Sequence, residues 1–172
     1  MSVSIRDATL GDGQALADIG RETFFETFGH LYPKEDADYF AQERFSLART
    51  RQDIGEAGRF IKLAFEGQAL MGFLDCGPVK LPIGSPVDSG LEVYRLYLRA
   101  PAHGRGLAQI LMDIAIAWAR EQGAKSLFLG VYCDNARAQA FYRKYGFEII
   151  GAYQFKVGNT LDDERIMKLK LG

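Results

Sequence analysis

The sequence predicts a single mixed α/β domain, a central and largely antiparallel sheet of about seven strands with helices on both faces. Two observations carry this. The apolar spacing reads, in order, as strand, helices, three strands, helix, strand, helix and two strands. Within that order only the middle strand–helix–strand unit requires a parallel crossover, which excludes a full doubly wound sheet. The 172 residues, 48% hydrophobic and 25% charged, are enough for one core without metals or disulfides.

Val3–Ala8 alternates as a first strand, and Asp12 is placed to cap a helix bearing Leu16, Ile19, Thr23 and Phe24 on one face. Further helices are expected over Lys34–Arg44 and Leu47–Glu56. Phe60–Glu66 and Ala69–Cys76 read as strands joined by the two-residue turn Gly67-Gln68. Gly77–Gly90, with Pro78, Pro82 and Pro86, is a loop suited to edge or cover a site. Leu91–Leu98 resumes a strand, and Gly104–Gln122 is the clearest helix, with Leu107, Ile110, Leu111, Ile114 and Trp118 on one side. Ser126–Tyr132 has the continuous apolar character of a strand buried on both faces. Asp134 or Asn135 caps a helix that runs through Tyr145 and stops at Gly146, before strands at Phe147–Val157 and Arg165–Leu171.

Composition excludes several classes. The net charge of -1 gives no general attraction to nucleic acid or anionic lipid, and no basic recognition helix is present. Cys76 and Cys133 lack metal or redox spacing, and His30 and His103 are too isolated to hold a metal, so none is expected. No apolar run approaches the ~18 residues of a membrane span, and Met1-Ser-Val-Ser-Ile-Arg6 enters a strand directly, so a cytoplasmic location is expected. Charge is nonetheless uneven. Residues 1–60 hold 11 acids and 7 bases, a net of -4, and the remainder hold 11 acids and 14 bases, a net of +3. A cationic ligand at one end and an anionic one at the other would suit this, as would chance.

Between a strand and the best helix stands His103-Gly104-Arg105-Gly106-Leu107-Ala108. Glycines let a ligand approach the backbone, and the unpaired first amides of the helix attract an anion. A P-loop is excluded by the missing Gly-Lys-Ser/Thr, a dinucleotide fingerprint is a poor match because Gln109 takes the third small position, and a plain turn with convenient glycines fits the loop equally. Downstream lie Asn135, Ala138, Tyr142, Gly146 and Phe147.

Together the two segments resemble the GCN5-related N-acetyltransferase (GNAT) superfamily. Its acetyl-CoA loop, Gln/Arg-x-x-Gly-x-Gly/Ala, is matched by His103, Gly106 and Ala108, with histidine at the usual Gln/Arg place. Its Asn-x-x-Ala-x-x-x-Tyr-x-x-x-Gly-Phe segment is matched by the five downstream residues. Glu22–Phe28, Leu129–Asn135 and the ending Gly151-Ala-Tyr…Arg165-Ile-Met-Lys168 are similar to the PaiA-type branch, which includes spermidine/spermine acetyltransferases.

The resemblance implies one GNAT domain over residues 1–172 that moves acetyl from acetyl-CoA to a primary amine. Transfer would be direct, within a ternary complex. Strand 91–98 would splay from its parallel neighbour 126–132 to admit the pantetheine, contacted by Leu96, Tyr97 and Leu98. The loop His103, Gly104, Arg105, Gly106, Leu107 and Ala108 would hold the phosphates, with help from Arg143 and Lys144, which a solvated helix face explains equally, and Asn135 would reach the arm. Tyr142 would protonate the leaving thiolate, since a phenol of pKa ~10 is close to a thiol at ~8.5.

The base is less defined. Tyr94 occupies the position where many relatives carry glutamate, so Glu92 is the candidate, acting through water, and Tyr94 would line the amine site. A solvated Glu92 fits equally. The acidic front half, with Glu22, Glu26, Asp36, Asp38 and Glu43 among aromatics, suits a polyamine, with Glu26 and Tyr39 as contacts. An amphipathic helix pair with acids in water explains the same pattern. A peptide N-terminus or amino acid as acceptor, or a non-catalytic acetyl-CoA-binding module, are the alternatives. The front aromatics and the edge strand 147–157 leave a homodimer open.

Overall fold

The computed structural model describes residues 2–84 and 89–172. Along the chain run β1 (Val3–Asp7), α1 (Gly13–Phe28), α2 (Lys34–Arg44), α3 (Leu47–Gly55), β2 (Phe60–Glu66) and β3 (Ala69–Pro78). They are followed by β4 (Gly90–Leu98), α4 (Leu107–Glu121), β5 (Ser126–Tyr132), α5 (Ala136–Lys144), β6 (Glu148–Val157) and β7 (Thr160–Lys170). One seven-stranded sheet takes the order β1-β2-β3-β4-β5-β7-β6. Only β4 and β5 pair in parallel, because α4 returns the chain between them; the other neighbours are antiparallel. Among the described residues no helix is long and apolar enough to cross a membrane.

The two faces are covered differently. On one, α4 and α5 lie over a core that includes Leu74, Val93, Leu111, Met112, Leu127, Leu129, Phe147 and Met167. On the other, Leu16 and Ile19 of α1 meet Ile61, Leu63 and Phe73, and beyond them Phe24 joins Ala37 of α2 and Val157. The ring of Phe24 lies 5.0 Å from Phe40 and 5.6 Å from Phe45, so the front aromatics form a packed cluster.

Four local readings are corrected. Helix α4 starts at Leu107, not Gly104, because Gly104 (φ 76°) and Gly106 (φ 83°) are left-handed and cannot continue a right-handed turn. Its buried stripe is Leu107, Leu111, Met112, Ala115, Ile116 and Ala119, whereas Ile110 turns to solvent. Asp12 precedes α1 but does not cap it, since its carboxylate accepts from Thr9 N and pairs with Arg6. Strand β7 begins at Thr160 rather than Arg165, because pairing with β5 and β6 extends a segment that has no apolar alternation of its own.

A buried ion network sits under α3. Arg59 donates to both oxygens of the fully buried Asp75, at 2.8 and 2.7 Å, and Arg95 Nε donates to Asp75 Oδ2 at 2.8 Å. Asp53 of α3 accepts from Arg44 at 2.7 Å and from Arg49 at 3.2 Å. Burial alone would raise the Asp75 pKa, but Arg95 and Arg59 outweigh it and hold the carboxyl below its ordinary value. Its contribution to stability is therefore present above the ordinary carboxylate range and lost as pH falls through the depressed value. Asp75→Ala should cost roughly 3–5 kcal/mol in denaturant unfolding, because two guanidiniums are left buried without their anion.

Candidate functional site

Parallel pairing of β4 with β5 runs only from Gly90↔Ser126 to Val93↔Leu129. Beyond it β4 keeps its β3 partner and β5 keeps β7, so the two strands diverge. A bulge helps to open them. Asp75 pairs with Arg95 and Cys76 with Val93, leaving Tyr94 as the extra residue. Bulges bend a strand and increase its twist.

Two clefts meet at this opening. The larger, ≈ 520 Å³, lies against α4 and α5; it is lined by the diverging strand ends together with His103, Gly104, Gly106, Ala108, Asn135, Arg137 and Tyr142. The smaller, ≈ 350 Å³, lies against the front helices and is walled by aromatics such as Phe24, Tyr32, Phe40 and Phe155. Phe28, Tyr94, Arg95, Tyr97, Gly130 and Glu164 line both, which makes them the junction. A Cβ at Gly130 would stand 2.4 Å from the Tyr153 hydroxyl, so a larger residue there would displace that ring.

The expected cofactor residues divide. Leu96, Tyr97, Leu98, His103, Gly104, Gly106, Leu107, Ala108, Asn135 and Tyr142 all line the larger cleft. No side chain caps α4, so its first amides stay open toward an anion. His103 Nε2 donates to the Leu98 carbonyl at 3.0 Å, which ties the loop to the end of β4. Asn135 Oδ1 accepts from Ala138 N at 3.1 Å and caps α5 while its side chain borders the cleft.

Arg105 and Lys144 are not among the lining residues. Arg105 pairs with Glu66 of β2 at 2.8 Å, and Lys144 sits on the solvent side of α5. A cation that the sequence reading passed over, Arg137 in the first turn of α5, lines the cleft instead.

Tyr142 is held by its neighbours. Its ring packs 5.5 Å from Phe141 and 5.9 Å from the buried Phe147, whose amide donates to the Tyr142 carbonyl. Among the described residues its hydroxyl has no hydrogen-bond partner in the protein. Burial, with a smaller effect from Tyr97, raises its pKa well above that of a free phenol. The hydroxyl therefore stays protonated at neutral pH and can donate.

On the acceptor side Glu92 is buried, and its Oε1 accepts from the amides of Lys80 (2.8 Å) and Leu81 (3.0 Å). Burial raises its pKa and those amides oppose the rise. Glu92 thus pins the loop after β3, whose Leu81 and Pro82 edge the cleft; Pro86 lies outside the described residues. The Tyr94 hydroxyl donates to the Pro78 carbonyl, and Arg59 and Lys80 lie over its ring.

Glu164 on β7, absent from the sequence-derived candidates, stands at the junction with its Oε2 buried and unpartnered among the described residues. Burial first, then Asp162, raises its pKa to about 7.

Glu26 and Tyr39 line neither cleft: both are exposed, Tyr39 at 60%, because the helix faces bearing them turn to water while the phenylalanines pack inward. Other front-half acids are engaged elsewhere. Glu22 pairs with Arg99, Asp38 with Lys34, and Asp36 accepts from Asn159 and Thr160 at the β6–β7 turn. Among the described residues no group of three or more His, Cys, Asp or Glu converges as a metal site would.

Of the Lys and Arg side chains beyond the junction, Arg137 alone lines this cleft among the described residues. Arg137→Ala should weaken coenzyme A binding about tenfold by calorimetry, the scale of one charge-assisted hydrogen bond, with Lys144→Ala changing it less than twofold.

Comparison with known proteins agrees with this geometry. The family described as "Acetyltransferase (GNAT) family" matches residues 15–147. An N-acetyltransferase of Mycobacterium tuberculosis is 31% identical over 160 residues, covering 93% of this chain and 98% of that one. The spermidine N(1)-acetyltransferase of Thermoplasma acidophilum is 24% identical, over 87% of this chain and 90% of its own. The crystal structure of the PaiA N-acetyltransferase from Thermoplasma acidophilum in complex with coenzyme A superposes with a TM-score of 0.79 at 22% identity, over 99% of each chain. The chain belongs to the acetyltransferase (GNAT) family and is an acetyl-CoA-dependent N-acetyltransferase.

Proposed function

We propose that the protein transfers the acetyl group of acetyl-CoA directly to the primary amine of a small molecule, in the cytoplasm. The observation that carries this is the through-sheet junction. Cofactor-side and acceptor-side clefts share six residues there, so a thioester and an amine entering from opposite faces meet. The larger cleft would hold the coenzyme, with its phosphates at the open amides of α4 and near Arg137, and its arm along β4 beside Asn135.

Proton movements follow from the two titratable groups beside that meeting point. The acceptor enters as an ammonium ion, and Glu164 takes its first proton. The neutral nitrogen attacks the thioester carbon, the N–C bond forms and the C–S bond breaks. Tyr142 gives its proton to the departing thiolate and regains one from the acylated nitrogen through solvent. Glu164 suits the base role better than Glu92, because its Oε2 is free at the junction while Glu92 Oε1 already accepts from two amides. Cys133 has its thiol pKa raised by burial and then by Asp134, which argues against an acetyl-cysteine intermediate.

The polyamine reading draws on the spermidine acetyltransferase relative and the aromatic walls. The front-half acids lend it no contact, since Glu26 lies outside the cleft and the others are paired or solvated. The aromatic helices and edge strand β6 keep a homodimer within this proposal.

Tyr142→Phe should lower kcat about 100-fold with the coenzyme A dissociation constant changed less than threefold; an unaltered kcat removes Tyr142 from the mechanism. In the same assay kcat/KM should rise with pH as a group of about 7 loses its proton. Glu164→Gln should abolish that limb and cost about 100-fold, against less than tenfold for Glu92→Gln.

A further inference from the structure

Two residues at the junction are charged, Arg95 and Glu164, and each keeps one buried polar atom without a hydrogen bond among the described residues: Arg95 Nη2 and Glu164 Oε2. The third such atom, Arg99 Nε, lies 3.1 Å from Glu22 and outside both clefts. Buried polar atoms left without a hydrogen bond cost folding free energy and are rare, so two of them in residues that line one opening call for a ligand.

The direction of Arg95 is set by its other contacts. Its Nε donates to Asp75 at 2.8 Å and its guanidinium lies 4.9 Å over the Phe73 ring, while Nη2 stands 3.8 Å from Asp53 Oδ2. The bulge at Tyr94 places it there. Strict alternation would put residue 95 on the face of Val93, but the extra residue leaves Val93, Leu96 and Leu98 toward α4 and sends Arg95 to the acceptor side.

Among the lining residues of that side cations outnumber carboxylates. Arg44, Arg49, Arg59 and Lys80 line the acceptor cleft with Arg95, against Glu92 and Glu164. Asp53, Asp75 and Glu56 pair with those cations from outside the lining. Burial, and next the field of Arg95, lowers the Arg44 pKa to about 10. With those partners counted, five cations face five carboxylates, and an anion in the cleft meets the cations first because Asp53, Asp75 and Glu56 stand outside the lining.

We propose that the acceptor is an α-amino acid with an apolar side chain, its carboxylate bound by Arg95, its amine facing Glu164 and its side chain among Phe24, Phe40 and Phe155. This rests on the acetyltransferase reading and adds the substrate class to it. An α-amino acid carries its ammonium and carboxylate on one carbon, matching a junction that presents one guanidinium and one carboxylate. Planar guanidinium forks favour carboxylates.

The test measures coenzyme A release with leucine, methionine and phenylalanine, each beside its carboxamide and its decarboxylated amine, and with spermidine. The free acids should exceed their amides in kcat/KM by at least 30-fold. Arg95→Lys keeps a charge beside Asp75 but loses the fork, and should reduce that preference at least tenfold, with folding checked by thermal unfolding. The wild-type comparison of acid with amide stands even where a variant does not fold. Amides or spermidine reacting as well as the acids overturn the proposal and leave the transferase reading intact. No release with any of these amines, while acetyl-CoA binds, overturns the amino-acid proposal and with it the small primary-amine acceptor of the proposed function.

Discussion

Parallel pairing between β4 and β5 ends at Val93 and Leu129, and the bulge at Tyr94 turns the rest of β4 away. A sheet is ordinarily a closed barrier, because each strand's backbone groups are consumed by its neighbours. Where these two strands part, backbone edges face an open space, and that space joins the two sides of the molecule. The loop before α4 and Tyr142 of α5 reach it from one side, and the aromatic cluster of α1 and α2 reaches it from the other. Without the divergence, those features would be separated by the sheet.

The two sides are stabilised by different physics. Toward α4 and α5 the core is apolar and includes Leu111, Met112, Leu127 and Met167, none more than 2% exposed. Burial there is the main stabilising effect. Toward α3 the sheet carries Asp75 and its arginines, with Asp53 supplied by the helix. Such networks contribute little net stability over apolar packing, but they fix the directions of charged groups that otherwise move freely. The apolar side holds the helices that shape the larger cleft, and the ionic side aims charge at the junction.

Glu92 and Glu164 show how environment separates similar residues. Both are carboxylates lining the acceptor cleft, and burial raises the pKa of each. The amides of Lys80 and Leu81 claim one oxygen of Glu92 and make it a loop anchor. Glu164 has Asp162 beside it, no compensating donor at Oε2, and a pKa near neutrality. Position in the sheet, rather than residue type, divides their roles.

Much of the architecture was legible in the chain. The expected ranges of β2, β5 and α2 match their observed bounds, β5 because a strand buried on both faces leaves a continuous apolar run between turn residues. The glycine loop and the Asn135–Phe147 segment were equally legible, since the turn before α4, the cap of α5 and the Tyr142–Phe147 contact depend on residues close in sequence. Charge placement was not legible. Arg105 meets Glu66 from 39 residues away, Arg95 reaches the acceptor side only through a bulge, and Glu164 lies in a strand segment without apolar alternation. The sequence by itself determined the elements and their order, which follow from short-range sterics and hydrophobic periodicity, and the two motifs that carry the family resemblance. Only the tertiary structure decided which charges face the junction, because register, bulge and ion partner are set by strands distant in the chain.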